Sequence, residues 1–225
     1  MSPARVTALV PARDEALVVG RTVTALRSIE GIAEIVVVDD GSRDETAGVA
    51  GEAGARVLRS PNNRGKGWAL EGALARLEPA DVYLLIDADV GETASEAARL
   101  IEPVLAGELD LAIGALPPLP GGLGTVRAVS AWMIERAGAM RMESPLSGQR
   151  AVRGDALQAC RPLARGFGVE TAMTMDALRL GFRVEEIPVP MTHRLTGRDL
   201  LGFAHRGRQG WDILVAGAPR LLGLR

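Results

Sequence analysis

The stretch Val82-Tyr83-Leu84-Leu85-Ile86-Asp87-Ala88-Asp89 runs from apolar, strand-favouring residues straight into two carboxylates separated by one small residue. An apolar run of that length suits a strand buried on both faces of a parallel sheet. Open α/β sheets place their ligands at the carboxyl ends of such strands. If the chain is still extended at Asp87 and Asp89, side-chain alternation points both the same way. Paired oxygen donors at a strand end suit a hard divalent cation, Mg²⁺ or Mn²⁺, which in turn bridges phosphates. An Asp-x-Asp triplet also fits an ordinary solvated turn, so the rest of the chain has to decide.

The preceding residues repeat the arrangement. Val6 to Val10 is a short apolar run closed by Pro11, and Arg13-Asp14-Glu15 then opens a helical pattern carrying Val18, Val19, Val23 and Leu26 on one side. Acidic residues in a first helical turn are also ordinary helix-start chemistry. A second strand, Ile35 to Val38, enters Asp39-Asp40-Gly41-Ser42, where Gly41 permits a tight turn and Ser42 can cap the next helix. Asp40 lies where its carboxylate can accept hydrogen bonds from a base or ribose. Arg56 to Leu58 is expected as a short third strand. Asn62-Asn63-Arg64-Gly65-Lys66-Gly67 precedes a helix from Trp68 to Leu77. Its glycines and Lys66 either approach phosphates through backbone N–H groups and one cation or form a plain loop. The Walker spacing is absent. Strands alternating with helices, each strand ending in a carboxylate or a proline turn, predict a parallel, doubly wound sheet with one ligand edge.

Composition narrows the classes. A chain of 225 residues with 47% apolar and 24% charged residues is expected to form one soluble domain. Aromatics are only 3%, so Ala, Val, Leu and Ile must build the core. A net charge of −2 argues against nucleic acid as a partner, and the single cysteine, Cys160, excludes an internal disulfide framework or a Cys-based zinc site. With no apolar run of about 18 residues, a cytoplasmic protein is expected, soluble or resting peripherally on the inner membrane face.

Four segments then carry a resemblance: Val10-Pro11-Ala12-Arg13-Asp14-Glu15, Val38-Asp39-Asp40-Gly41-Ser42-Arg43-Asp44-Glu45-Thr46, Asn63-Arg64-Gly65-Lys66-Gly67 and Asp87-Ala88-Asp89. In order and approximate spacing they resemble the family 2 glycosyltransferases, and most of all the polyprenyl-phosphate sugar transferases. The resemblance implies an α/β, GT-A-like fold, a mostly parallel sheet flanked by helices in a single domain. Residues 1–115 would form the nucleotide-sugar-binding half and 116–225 the acceptor half. It also implies that Pro11, Ala12, Glu15 and Asp40 hold the nucleoside, with Arg13, Asp39, Lys66 and Ala88 among the donor-binding residues. Asp87 would lie near ribose or sugar, and Asp89 would bind the metal on the diphosphate.

In the second half, Leu109 to Gly114 is expected as a strand and Val126 to Met140 as a helix. Leu116 to Gly124, with three Pro and three Gly, forms either a lid or a surface connection. Pro145-Leu146-Ser147-Gly148-Gln149-Arg150-Ala151-Val152-Arg153 resembles the Ser-Gly-Phe-Arg-Ala segment of the polyprenyl-phosphate enzymes, with Gln149 in place of the usual aromatic. Arg150 would then stabilise phosphate charge. Gly166 to Thr171 precedes a helix running through Leu180 to Gly181. There Glu170 is a general base, an acceptor-positioning residue or simply a helix-start acid. Arg183 to Val189 is the last expected strand. Several GT-A enzymes supply a histidine from the region that follows, and His193 is the matching candidate as a second metal ligand. From Asp199 onward, Leu200, Phe203, Ala204, Trp211, Leu214, Val215 and Ala218 fall on one helical stripe. His193 to Arg225 carries six Arg and two Asp, so the helix either rests on an anionic membrane surface or packs on its own sheet.

The expected activity is metal-dependent transfer of a hexose from a UDP- or GDP-linked sugar to a phosphate-bearing acceptor, polyprenyl phosphate above all. The alternatives are a small soluble phosphorylated acceptor, as in the enzymes that make glucosyl phosphoglycerate, and a non-catalytic nucleotide-sugar-binding protein.

Overall fold

Strands in this chain alternate apolar side chains to both faces, and each face finds its own layer of helices. In the computed structural model, which describes residues 4–117, 124–192 and 200–223, Leu9, Val36, Val38, Tyr83, Leu85, Leu111 and Ile113 face one core. Their neighbours Ala8, Val10, Ile35, Val37, Leu84, Ile86 and Ala112 face the other. That period of two, buried on both sides, is the mark of a sheet sandwiched between helices.

The elements in order are β1 (Val6–Ala12), α1 (Val19–Arg27), β2 (Ile32–Asp39), α2 (Thr46–Glu52), β3 (Arg56–Arg59), α3 (Lys66–Leu74), β4 (Val82–Leu85), a 3-10 segment (Gly91–Ala97), α4 (Ala98–Leu105), β5 (Leu111–Ala115), α5 (Gly124–Gly138), β6 (Arg150–Arg153), α6 (Gly154–Ala159), a 3-10 turn (Gly166–Gly168), α7 (Val169–Arg179), β7 (Val184–Pro188) and α8 (Leu200–Leu221). Among the described residues seven strands form one sheet in the order β3-β2-β1-β4-β6-β5-β7. Every neighbouring pair is parallel except those of β6, which runs antiparallel to β4 and β5. Helices α1, α2 and α4 cover one face. Helices α3, α5, α6, α7 and α8 cover the other.

The expected strands and helices appear with shifted ends, and two expectations change. β4 stops at Leu85, although Ile86 still donates to the Leu9 carbonyl at 3.1 Å. Asp87 and Asp89 therefore sit in the turn beyond the strand, and strand alternation does not set their directions. The segment at Arg150 was expected only as a motif. It is a strand, and its antiparallel course returns the chain to the carboxyl end of β4, where Arg150 pairs with Leu85. Of the Leu116–Gly124 loop, residues 118–123 lie outside the described residues.

Asp110 gathers the far end of this sheet. Its Oδ1 accepts from Arg183 Nη2 at 2.8 Å and from Arg153, while Oδ2 accepts from the Arg183 backbone at 2.8 Å and Nε at 3.2 Å. One buried carboxylate before β5 thus holds the end of β6 and the start of β7. The Arg183 hydrogen bonds hold the Asp110 carboxyl below its ordinary range against the upward push of burial, and the Arg153 charge adds to them. A depressed folded-state value stabilises the fold above the unfolded carboxylate value of about 4, and the contribution disappears as pH falls through the folded value. Denaturant midpoints taken from neutral pH downward should therefore fall in acid for the parent. Asp110→Asn should start lower and show a flatter acid dependence. Parallel curves for the two would remove Asp110 as a source of the acid sensitivity.

Candidate active site

Three parallel strands end together at the same edge, and the loops leaving them are tied to one another by side chains. After β1, the Asp14 amide donates to Ser42 Oγ at 3.0 Å and Asp14 Oδ1 accepts from the Arg43 amide at 2.8 Å. The Glu15 amide donates to Thr46 Oγ1 at 2.8 Å, and the Ala16 amide to Asp44 Oδ2 at 3.1 Å. Burial pushes the Asp44 carboxyl up, but the Thr46 hydroxyl and the Ala16 and Thr46 amides outweigh it and hold the group below its usual range. Two expectations are corrected here. Ser42 does not cap α2, which has no side-chain cap, and serves the neighbouring loop instead. Asp14 and Glu15 do not open α1, which begins at Val19. Asp14 takes a left-handed φ of 54° in the loop between.

The donor-side residues lie along this edge. Pro11 and Ala12 close β1, and the Ala12 carbonyl accepts from the Asp40 amide at 3.0 Å. Arg13 is exposed and Glu15 half-buried in the loop that follows. Fully buried Asp39 accepts from the Ser42 amide at 2.8 Å and faces Arg59 Nε at 3.1 Å. Asp40 receives the Arg64 amide at 2.9 Å on one oxygen and the Gly65 amide at 2.7 Å on the other. Its carboxylate thus fixes the loop that delivers Lys66. Arg64 lies 4.1 Å over the Trp68 ring, a cation–π contact at the start of α3.

Lys66 is the centre. Its Nζ lies 2.6 Å from Asp87 Oδ1 and 2.7 Å from Glu170 Oε1, joining the N-termini of α3 and α7 to the turn after β4. Burial alone would lower the ammonium pKa. The charges of Asp87 and Glu170 overcome it and raise the value above its usual one, so Lys66 stays protonated. Fully buried Gln149 holds the other side of Asp87. Its Nε2 donates to Asp87 Oδ2 at 2.8 Å, and its Oε1 accepts from the Asp87 amide at 3.0 Å. A Cβ on Gly148 would fall 2.2 Å from the same Oδ2, so only glycine admits the carboxylate here.

The Arg150 guanidinium, expected at a phosphate, is turned into the protein. Its Nε donates to the Ser147 carbonyl at 2.8 Å, and Nη1 to the Glu170 carbonyl at 3.0 Å and Thr174 Oγ1 at 2.8 Å. Burial lowers its pKa to about 10 despite the nearby charges of Glu170 and Asp87, leaving it cationic at neutral pH. Arg150 is therefore a brace under Glu170. Gln149, Ser147 and Thr174 were not expected at the site. The one signal was Gln149 itself, a polar residue where the resembling enzymes carry an aromatic.

Half-buried Asp89 follows buried Ala88 in a turn pinned by Thr22, whose hydroxyl donates to the Ala88 carbonyl and accepts from the Gly91 amide, both at 2.8 Å. Nearby, the Thr192 amide donates to Thr93 Oγ1 at 3.2 Å. The expected ligand His193 lies outside the described residues. Among the described residues no three His, Cys, Asp or Glu side chains form a metal cluster. The donor set that is present still fits Mg²⁺ or Mn²⁺ held through one or two carboxylates and substrate phosphates, because such sites need few protein ligands. Asp89 would hold it, with Asp87 adjacent.

This sheet and edge are those of a GT-A glycosyltransferase. Residues 7–154 match glycosyl transferase family 2, and the chain belongs to that family. It is 29% identical to the glycosyltransferase AglJ of Haloferax volcanii over 204 residues, 88% of this chain and 66% of AglJ. It is 30% identical to the undecaprenyl-phosphate mannosyltransferase of Micrococcus luteus, covering 98% of both chains. Glucosyl-3-phosphoglycerate synthase of Mycobacterium tuberculosis, solved with Mn²⁺, UDP and glucosyl-3-phosphoglycerate, superposes with a TM-score of 0.77 at 26% identity, over 96% of this chain and 80% of that one. Its complex with Mg²⁺ and UDP gives a TM-score of 0.78 at 27% identity, with the same coverage.

The paired hydrogen bonds of Gln149 make a sharp test. Gln149→Glu places a second carboxylate against Asp87 and should lower kcat/KM for the donor by about tenfold at neutral pH, about 1.4 kcal/mol. Activity should recover as pH falls and the new carboxyl becomes a donor again, an effect that Gln149→Leu cannot show. Superimposable pH profiles for parent and Gln149→Glu would mean that Asp87 does not depend on this contact.

Proposed function

We propose that the chain transfers a hexosyl group from a UDP- or GDP-linked sugar to a phosphate-bearing acceptor, and that the acceptor is a polyprenyl phosphate. The observation that carries the reading is the single ammonium of Lys66 held between Asp87 and Glu170, beside the Asp89 turn. In this reading the nucleoside lies along Pro11, Ala12, Arg13, Glu15, Asp39 and Asp40, and the sugar reaches Asp87 and Ala88. Asp89 would hold the divalent cation, with His193, outside the described residues, as the second ligand that the resemblance implies. That cation supplies charge compensation for the departing diphosphate.

The chain's own groups do the rest. An acceptor phosphate oxygen forms the new bond to the anomeric carbon as the bond from that carbon to the diphosphate oxygen breaks. The nucleoside diphosphate leaves with the electron pair. Lys66 is already ordered and protonated, so its charge needs no reorganisation as negative charge builds on the leaving group. A phosphate dianion brings no proton to remove. Glu170 then serves to place Lys66 and the acceptor, and would act as a base only toward a hydroxyl acceptor. Support for the lipid acceptor comes from the full-length similarity to the undecaprenyl-phosphate mannosyltransferase. The structural likeness to glucosyl-3-phosphoglycerate synthase favours a second reading, a small soluble phosphorylated acceptor.

Labelled UDP- and GDP-sugars assayed against both acceptor classes separate these readings. Product extracted into organic solvent with polyprenyl phosphate is expected. A water-soluble product formed only with phosphoglycerate would replace the acceptor, and no transfer to either would remove the reading. Asp89→Ala should lower transfer roughly a hundredfold or more, the scale of losing a preorganised electrostatic contact, while circular dichroism shows the protein still folded.

A further inference from the structure

The chain reaches α7 through residues 161–165, a segment with neither helix nor strand. Such a segment takes its position from whatever satisfies its backbone and side chains, and here the partner is α3. Glu71 of α3 accepts from the Leu163 amide on Oε1 at 2.6 Å. It also receives the Arg161 guanidinium on both oxygens, from Nη2 at 3.0 Å and from Nε at 3.2 and 3.3 Å. Arg161 Nη1 donates in turn to Gln158 Oε1 of α6 at 2.9 Å. The Glu71 and Arg161 side chains are 23% and 24% exposed, so this forked pair is sheltered from most solvent screening.

Gly67 stands one turn before Glu71 on the same face of α3, and a Cβ there would fall 1.8 Å from the Ala164 carbonyl oxygen. A Cβ on Gly65 would lie 3.4 Å from Gly166 Cα. Glu71, Gly67 and Gly65 thus seat residues 161–166 along α3, and the chain then turns into α7 and Glu170. Helix α8 closes the other side. It packs through Ile213, Ala216 and Arg220, and Arg220 clamps Asp176 of α7 with two hydrogen bonds of 2.7 Å. The stripe that periodicity marked, Trp211, Leu214, Val215 and Ala218, faces outward instead. A Cβ on Gly168 would meet the Ala216 Cβ at 2.5 Å and the Asp212 carbonyl oxygen at 2.7 Å, so the turn before Glu170 is backed by a helix on each side.

We propose that Glu71 is a positioning residue of the transfer site: by fixing Arg161 and Leu163 on α3, it sets where Glu170 stands against Lys66. Asp87 reaches Lys66 from elsewhere and is held by Gln149. The two carboxylates around the ammonium therefore have separate supports. Loss of Glu71 frees Glu170 and leaves the Asp87 contact in place. The effect on transfer rests on the proposed function, in which Glu170 places Lys66 and the acceptor. The effect on Lys66 itself does not.

Lys66 is the only lysine in the chain, so its reaction with an amine-acylating reagent is read by mass spectrometry of one internal peptide. In the parent the ammonium is held by two carboxylates, and acylation should be slow. Glu71→Ala should accelerate it roughly tenfold, within the range by which coupled residues alter one another, while circular dichroism shows the fold intact. Glu170→Gln removes the contact directly and should accelerate acylation as much, with no further gain in the double variant. Glu71→Gln keeps an acceptor for the Leu163 amide and should fall between the parent and Glu71→Ala. It carries the same comparison if Glu71→Ala does not fold. An unchanged rate in both Glu71 variants overturns the proposal. So does a double variant whose acceleration is the product of the two single ones, because Glu71 would then open the site by a path that bypasses Glu170. In transfer assays Glu71→Ala should lower kcat and leave the donor KM unchanged. A matching rise in donor KM would mean a loosened α3 and would also overturn it. The labelling needs neither donor nor acceptor, so a parent that transfers no sugar would remove the proposed function without touching that result.

Discussion

One ammonium group, that of Lys66, joins three parts of the chain that are far apart in sequence. Asp87 reaches it from the turn after β4 and Glu170 from the first turn of α7. Without the cation, two carboxylates would converge in a poorly solvated edge and repel each other. With it, and with Arg150 beneath, two positive and two negative charges balance inside the fold. Buried ion pairs of this kind contribute little net stability, because desolvation offsets most of the attraction. Their value here is orientation: a charge that is already in place need not be assembled when the reaction demands it.

The reversed strand β6 makes that arrangement possible. A parallel strand beside β4 would have put its first residue at the opposite end of the sheet. By running antiparallel, β6 brings Gly148, Gln149 and Arg150 to the edge where β1, β2 and β4 end. Gln149 then addresses both the amide and the carboxylate of Asp87, an arrangement that an aromatic at this position could not provide. The exchange of ring for amide thus has a local physical reason, independent of what the acceptor is.

Much of this was legible in the residues. Apolar runs that end in carboxylates announced the parallel strands and their shared edge, because burial on both faces demands continuous hydrophobicity. The order of motifs announced the family. What remained hidden depended on distant partners. β6 is four residues with arginine at each end; Arg150 is a strand residue through its pairing with Leu85 and Ile113, and its buried guanidinium is tolerated there because Ser147, Glu170 and Thr174 receive its hydrogen bonds. The end of β4 at Leu85 and the lashing of Ser42 to Asp14 are likewise settled across the edge rather than along the chain. Periodicity found an apolar stripe on α8 but could not say which stripe faces in. That was decided by small residues against α5 and by one Arg–Asp pair.

The closeness of Gly148 to Asp87 bears on how such a site changes over evolutionary time. A position with no functional group of its own is held as tightly as those with charges, because the space for a methyl group is already filled by a carboxylate oxygen. Gly67, where an added Cβ would fall 1.8 Å from the Ala164 carbonyl oxygen, is held in the same way. Divergence of substrate preference in this lineage must therefore proceed through positions outside that silhouette, on the acceptor side. A saturation scan should trace the outline of the donor edge as clearly in its glycines as in its acids.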